Sequence, residues 1–445
     1  MEIRPFKAYR FNPAVVGNIG ACIAPPYDLI DPWYQEELYN RSPYNIIRIE
    51  KGRELPTDDT SQNVYTRAAA ELARWIDEGV LIQDSRQAIY GYIQQYQLAG
   101  RTYTRYSFIA LGRLVPFGPV VRPHEQVFPG PVEDRLRLKR ATAAQLGLVF
   151  MLYDDQQRLF EQIAQGLECT ESLIDIVDDH GVRHIVTAVA DQGQIKAICT
   201  MMKDKSCIIA DGHHRYTTGL QYAKESGLPD AQFQMMAFAN IRQEGLSVLA
   251  THRVVRGIPD PLANKLVERL QEYFLVDRLD DLRSLMMGLE RLAKEGRIGF
   301  GVYMGKDQVL LASLRDQQTL RAASPGKEEA WYGLDVVALQ VLVMERILNL
   351  IPQARDGGPQ VEYITSLEAL PQQATDLVDK GDCQVAFILN PIRIQQLVAI
   401  ANAGLLMPPK STFFYPKMYT GLTIQRLEMS SGQRPCKVYS EVKRS

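Results

Sequence analysis

The stretch from Cys207 to Leu220 sets the tightest limit on what this chain can fold into. An apolar run, Cys207–Ala210, stops at Asp211-Gly212-His213-His214-Arg215, and an amphipathic pattern follows from about His214 to Glu225. A short apolar run bounded by a turn reads as a buried strand, and the longer periodic segment as a helix. Glycine at the junction lets the backbone turn sharply and approach a ligand closely. The stretch is therefore a strand–turn–helix unit, and the same alternation recurs along the chain.

A helix is expected over about 62–78, where Ala68, Ala69, Leu72, Trp75 and Ile76 share one face. Two strand-like runs around Gly100 suggest a hairpin. Then come a helix over 132–145, a buried strand over 146–154, a helix over about 156–167, and strands over 232–241 and 246–255. Past Gly257-Ile258-Pro259 the pattern changes. Amphipathic helices are expected over 260–274 and 280–296, a hairpin over 298–314 and an apolar helix over 333–348. A buried strand from Cys383, a helix from about Ile392, and strands and loops after Thr412 complete the chain. This mixture predicts an α/β fold with α+β mixed sheets. At 445 residues the chain exceeds one ordinary core. Two domains are expected, 1–256 as the core that carries the chemistry and 257–445 as a second α/β domain that brings the 407–422 loop to a shared cleft.

Composition narrows the function classes. Hydrophobic residues make up 46% and charged residues 23%, as in soluble globular chains, and the net charge of −2 argues against a general nucleic-acid or membrane binder. The six cysteines, Cys22, Cys169, Cys199, Cys207, Cys383 and Cys436, show no C-x-x-C spacing. That excludes a zinc ribbon or disulfide framework and fits a reducing cytosol. No apolar signal core opens the chain, and no apolar run approaches the roughly 18 residues of a spanning helix, so a cytoplasmic protein is expected. His124-Glu125 is not the H-E-x-x-H zinc helix, because Phe128 stands where the second histidine belongs. There is no Walker A loop, kinase glycine-rich loop or G-x-S-x-G elbow.

Five stretches carry candidate chemistry. The first is the Asp-Gly-His-His-Arg turn. The first N–H groups of a helix lack partners within it and carry partial positive charge, so an anion is held there. His214 and Arg215 add donors, with arginine suited to bidentate phosphate contact. Asp211 beside a phosphate makes sense if it holds Mg²⁺ or accepts a proton. The bland alternative is a solvated Asp-Gly turn. The second is "IAPPYDLID", Ile23–Asp31, where paired prolines set Tyr27 and Asp28 on a rigid loop. The third, Arg122–Thr142, gathers Arg122, His124, Glu125, Asp134, Arg135 and Lys139, while Arg137 and Arg140 read as a solvated helix face. The fourth is "THRVV", with His252 and Arg253, where a structural histidine is as good a reading as a functional one. The fifth, Met407–Leu422, interleaves Lys410, Ser411, Thr412 and Lys417 with Phe413, Phe414 and Tyr415, suited to walling a phosphate pocket. His180 and His184 sit in a polar segment and look incidental.

Together "APPYD", "RPHEQV…GPVEDRLRL", "IADGHHRYTTGL", "THRVV" and "MPPKSTFFYPK" resemble the bacterial and archaeal family known as domain of unknown function 1015. The likeness runs over nearly the whole chain. The chain departs from the pattern at Ala250, where proline is expected, and at Val127, where threonine is common. The D-G-H-H-R turn is also similar to the signature of the ParB/sulfiredoxin-like superfamily, whose phosphate-binding core this resemblance implies here. Carried over by position, Gly212, His214 and Arg215 would bind phosphate. His213 would fill the slot of sulfiredoxin's cysteine, so sulfiredoxin chemistry is not expected. The resemblance extends to free L-serine kinases, some of which use pyrophosphate.

It implies a small-molecule phosphotransferase of serine biosynthesis that makes O-phospho-L-serine, with pyrophosphate, ADP or ATP as donor and Mg²⁺ as cofactor. Asp28 or Asp211 would take the hydroxyl proton, with His124 or Glu125 as reserve, and His213 beside them. Asp211 would be the metal ligand. Arg135, His252, Arg253, Lys410, Ser411, Thr412 and Lys417 complete the expected binding set. No nucleic-acid or membrane partner is expected, and a homo-oligomer stays open. The alternatives are a ParB-like nucleotide switch or DNA-associated regulator, and a metal-dependent hydrolase built on the same cluster.

Overall fold

The computed structural model describes residues 1–127, 129–167, 171–350, 360–368 and 370–427. Nine strands form the larger sheet: β1 (Ile3–Arg4), β2 (Ile89–Leu98), β3 (Arg101–Arg113), β4 (Val121–Arg122), β5 (Val149–Tyr153), β6 (Ile174–Val177), β7 (Arg183–Val189), β8 (Cys207–Asp211) and β9 (Phe233–Asn240). Their order is β4-β8-β5-β9-β3-β2-β7-β6, with β1 pairing β3 off this path. The sheet is mixed: β4 and β8 run parallel, as do β5 and β9, and the other pairs are antiparallel. The long β2–β3 hairpin turns at Ala99-Gly100, both at positive φ. The neighbouring strands β8, β5 and β9 are apolar and almost wholly buried, as suits strands covered on both faces.

Three helices matter for the site. α1 (Val64–Asp77) starts at an Asn63–Thr66 capping box and buries Ala68, Leu72 and Trp75. α2 (Pro129–Thr142) lies between α1 and α3 (His213–Ser226). Gly212 caps α3 at its start and Gly227, also left-handed, at its end.

The chain leaves the large sheet through β10 (Ser247–Leu249). A second sheet begins at once with β11 (Thr251–Arg256) and continues with β12 (Phe274–Leu279), β13 (Gly299–Tyr303), β14 (Val309–Leu314), β15 (Gln360–Thr365) and β16 (Val385–Ile388). The order is β12-β14-β13-β16-β11-β15, all antiparallel. Its first strand thus precedes residue 257. The chain then returns: β17 (Phe413–Tyr415) pairs with β10, Thr420 bridges Ala24, and Gln425–Arg426 pair with Ala144–Gln145. Mixed α/β architecture is therefore observed.

Two expected helices differ in form. Residues 260–274 make two short helices, Asp260–Ala263 and Leu266–Gln271, because Lys265 leaves helical geometry (φ −106, ψ 6), and Phe274 already belongs to β12. The apolar helix over 333–348 starts as an α-turn at Asp335–Ala338 and continues as a π-helix, Leu339–Ile347. Cys169 and Cys436 lie outside the described residues, and the other four cysteines are free thiols. Among the described residues no helix is long and apolar enough to cross a membrane.

Candidate active site

The site forms where β8 gives way to α3. The pairing of β8 with β5 shifts register between Ile209 and Asp211, a bulge that redirects the Asp211 side chain. Gly212 then takes φ +91, and a Cβ there would stand 3.3 Å from Val149 Cα and 3.5 Å from Leu148 O. Only glycine suits both the angle and the approach. The first intrahelical bond runs from Tyr216 N–H to Gly212 O, so the N–H groups ahead of it stand before the helical ladder begins.

Opposite this turn lie three segments distant in sequence. The 3₁₀ turn Tyr27–Leu29 follows the paired prolines. The 124–126 loop follows β4. Residues 407–418 cross over from the second sheet, tied down by Met407 N–H to His124 O and by Lys410 N–H to Glu125 Oε1 (2.8 Å). One cleft is lined by Asp28, Glu125, Asp211, Gly212, His213, His214, Arg215, Lys410, Thr412 and Lys417, with Tyr27, Leu29, Gln126 and Phe413 at its walls.

Its charges are arranged in pairs. Lys417 Nζ stands 2.7 Å from Asp211 Oδ2, across 206 residues of sequence. Burial alone would raise the Asp211 carboxyl, but Lys417, with Arg215 behind it, holds it well below the usual carboxylate range. Arg215 is itself largely covered, its side chain 11% exposed. It donates to Leu148 O and Glu50 Oε1, at 3.3 and 3.4 Å, and its guanidinium lies 5.2 Å from the Tyr27 ring centroid. Burial pushes Glu125 upward, against the pull of the Lys410 N–H. Asp28 is exposed at the mouth. Burial lowers His214.

Several expected ligands turn out to be scaffold. His124 is wholly buried: Nδ1 meets Ile209 O at 2.6 Å, so it carries the proton, and Nε2 accepts from Thr412 Oγ1 at 2.9 Å. Burial pushes its pKa down to about 4, so it is a neutral strut between β8 and residues 407–418. His213, expected beside the catalytic carboxylates, is buried edge-on to His124, and its Nε2 accepts the His124 backbone N–H. With that lone pair engaged and its pKa driven far down by burial, it is no proton acceptor. Arg135 does not reach the cleft. It donates to Glu50 O and Asp134 Oδ2, and its guanidinium lies 4.2 Å from the Tyr27 ring centroid. His252 lies in β11, where its Nδ1 accepts Leu389 N–H. Arg253 donates to backbone carbonyls, and Ser411 Oγ to Pro408 O.

Other residues escaped the sequence reading. Glu50, 4% exposed, sits beneath both Arg135 and Arg215. Its only signal was a carboxylate ending the buried run Ile46–Ile49. Lys51 Nζ donates to Tyr27 O and Ile30 O and so pins the Asp28 turn. His184 is not incidental: it is wholly buried in β7, between Tyr92 Oη (2.7 Å) and Asp178 Oδ2 (3.0 Å).

Over residues 3–337 the chain matches the family described as protein of unknown function, DUF1015. The chain belongs to the DUF1015 family. No curated protein sequence matches it. Among solved structures it is similar to a free serine kinase in complex with AMP, at 14% identity, covering 66% of this chain and 83% of that one, with a TM-score of 0.34. It is also similar to a conserved hypothetical protein from Pyrococcus furiosus (15%, 67% and 88%, TM-score 0.33). A third is SbnI with C-terminal truncation from Staphylococcus aureus (12%, 69% and 84%, TM-score 0.33). Such low identities and scores assign neither substrate nor donor to this DUF1015 member.

Proposed function

We propose that the cleft transfers a phosphoryl group to the hydroxyl of a small molecule, with free L-serine as the acceptor and pyrophosphate, ADP or ATP as donor. The observation that carries this reading is the meeting of Lys417 and Asp211 at the open N-terminus of α3. Phosphoryl transfer asks mainly for positioning and charge neutralisation. Here the N–H groups of residues 213–215, with Arg215, Lys410 and Lys417, supply the cationic side. A device that merely senses an anion has no use for Asp28, Glu125 and Asp211 in the same lining, since carboxylates repel phosphate unless they hold a cation or accept a proton.

The roles divide by environment. Asp211, held ionised by Lys417, is a weak base and a suitable anionic ligand. Among the described residues no three His, Cys, Asp or Glu side chains gather as a ready metal site. Mg²⁺ is commonly held by one or two carboxylates plus donor phosphates, and Asp211 fits that mode. When bound, the ion would neutralise phosphate charge. The acceptor oxygen attacks the terminal phosphorus, the bridging P–O bond breaks, and phosphate, AMP or ADP leaves according to the donor. The hydroxyl proton passes to a carboxylate, Asp28 at the mouth or Glu125, whose carboxyl burial raises and so makes a better base.

The test is incubation with Mg²⁺, labelled serine and, separately, pyrophosphate, ADP and ATP, with phosphoserine read by mass spectrometry. Asp28→Asn should stop turnover and spare donor binding. If Glu125→Gln does so instead, the base is Glu125. Tight nucleotide binding with no phosphoserine from any donor would favour a nucleotide-driven switch.

A further inference from the structure

Residues 407–418 form a strap whose two lysines, Lys410 and Lys417, both line the cleft. Beside each lies a buried arginine from a different sheet. Arg105, on β3, is 0% exposed. It donates through Nε to Gln94 Oε1 (3.1 Å), through Nη1 to Tyr415 O (3.3 Å) and through Nη2 to Pro416 O (2.5 Å). Gln94 Nε2 in turn donates to Lys417 O at 3.0 Å. Three successive carbonyls, 415 to 417, are thus gripped from the large sheet. Arg253, on β11 of the second sheet, is 3% exposed, and its Nη2 donates to Pro409 O and Lys410 O, both at 3.3 Å. Its Nη1 donates to Thr251 O.

Buried arginines ordinarily meet a carboxylate. Among the described residues these two instead take uncharged oxygens, main-chain carbonyls and, for Arg105, the Gln94 amide oxygen. Burial lowers both to about 10, so both stay charged at neutral pH. A neutral amide could satisfy carbonyls at a smaller desolvation cost. The guanidinium adds reach and a rigid fork of donors that ties several carbonyls into one geometry.

We propose that Arg105 and Arg253 are positioning residues that stretch the strap between the two sheets, so that Lys417 and Lys410 project over the anion site at the start of α3. The identity of the anion rests on the phosphoryl-transfer reading. The holding of the lysines rests on the hydrogen bonds alone.

Arg105→Met, Arg105→Lys and Arg253→Met in the full chain test it with two readouts. The first needs no ligand. Lys417 is 13% exposed at its side chain, so an amine-reactive reagent followed by mass spectrometry should label it slowly in the wild type and several-fold faster in R105M. The second is pyrophosphate affinity by calorimetry. R105M should weaken it about ten-fold or more, as for loss of one charged hydrogen bond. R105M combined with K417M should be no weaker than K417M alone. R253M should behave likewise with K410M, and R105K should fall between wild type and R105M. Wild-type labelling of Lys417 in R105M, or effects of R105M and K417M that add in full, would overturn the proposal. If the wild type binds no pyrophosphate, that donor fails while the labelling still decides the positioning role. Should R105M not fold, Gln94→Met removes the Lys417 carbonyl contact together with the Oε1 that Arg105 meets, R105K keeps the charge, and both permit the same comparisons.

Discussion

Replacing Lys417 by methionine isolates the contact on which the site depends. The ammonium lies 2.7 Å from Asp211 Oδ2, with the two side chains 13% and 28% exposed. At an effective dielectric of about 20 the bare attraction at that distance is about 6 kcal/mol, most of it offset by desolvation. Exposed pairs contribute about 0.2–1 kcal/mol, and breaking a fully buried one costs about 3–5. For this partly buried pair we expect a coupling of about 2 kcal/mol. A double-mutant cycle of K417M, D211N and the double variant in urea measures it, provided that fluorescence and circular dichroism give coincident transitions. The pH dependence supplies a second check. In the wild type the Asp211 carboxyl is held below its ordinary value, so its contribution is present above about pH 4 and is lost as pH falls further. In K417M burial dominates and the carboxyl moves up, so the gap between the two proteins should narrow in acid. A coupling below about 0.5 kcal/mol, the scatter of independent sites, would refute the pairing and the electrostatic account of the cleft.

Three further outcomes are expected. Arg215→Ala should weaken pyrophosphate or nucleotide binding about a hundred-fold in calorimetry, since it removes a charged donor from the anion site and leaves Glu50 to Arg135 alone. Gly212→Ala should lower stability by about 1–3 kcal/mol and impair donor binding, because φ +91 and the Val149 contact oppose any Cβ, as thermal unfolding with and without pyrophosphate would show. Asp335, which accepts Gly299 N–H at 3.0 Å, is raised by burial from 3.8 to about 6. Its folded form holds the proton more tightly, so stability is lost as pH rises through about 6. Asp335→Asn should therefore gain at most about 3 kcal/mol at pH 8 and nothing near pH 4, read from urea midpoints at the two pH values.

What the chain reveals residue by residue is its local structure. Cys207–Ser226 is legible as strand, turn and helix because an apolar run, a glycine and a helical period lie side by side, and that turn is where the cleft forms. Asp28, Glu125, Lys410, Thr412 and Lys417 stood out for the same kind of reason: titratable or hydroxyl groups among prolines and glycines, where packing explains them poorly. Arg135, His252 and Arg253 looked alike in sequence, yet Arg135 and Arg253 donate to main-chain carbonyls and His252 accepts a main-chain N–H away from the cleft, because a polar residue's partner is set by what folds against it. His184 reversed the other way. Its polar neighbours suggested a surface, but β7 lies between β2 and β6, which seals the ring in.

The sequence by itself determined the alternation of strand and helix, the left-handed turn at Gly212 and the open helix start beyond it, all products of interactions within a few residues. Only the tertiary structure decided that Lys417 meets Asp211 and that Glu50 underlies two arginines. Those contacts depend on strand order and on the return of residues 413–427 to pair with residues 247–249 and 144–145. Side chains hundreds of positions apart carry no local signal of each other, and it is burial of the intervening strands that brings them within hydrogen-bonding reach.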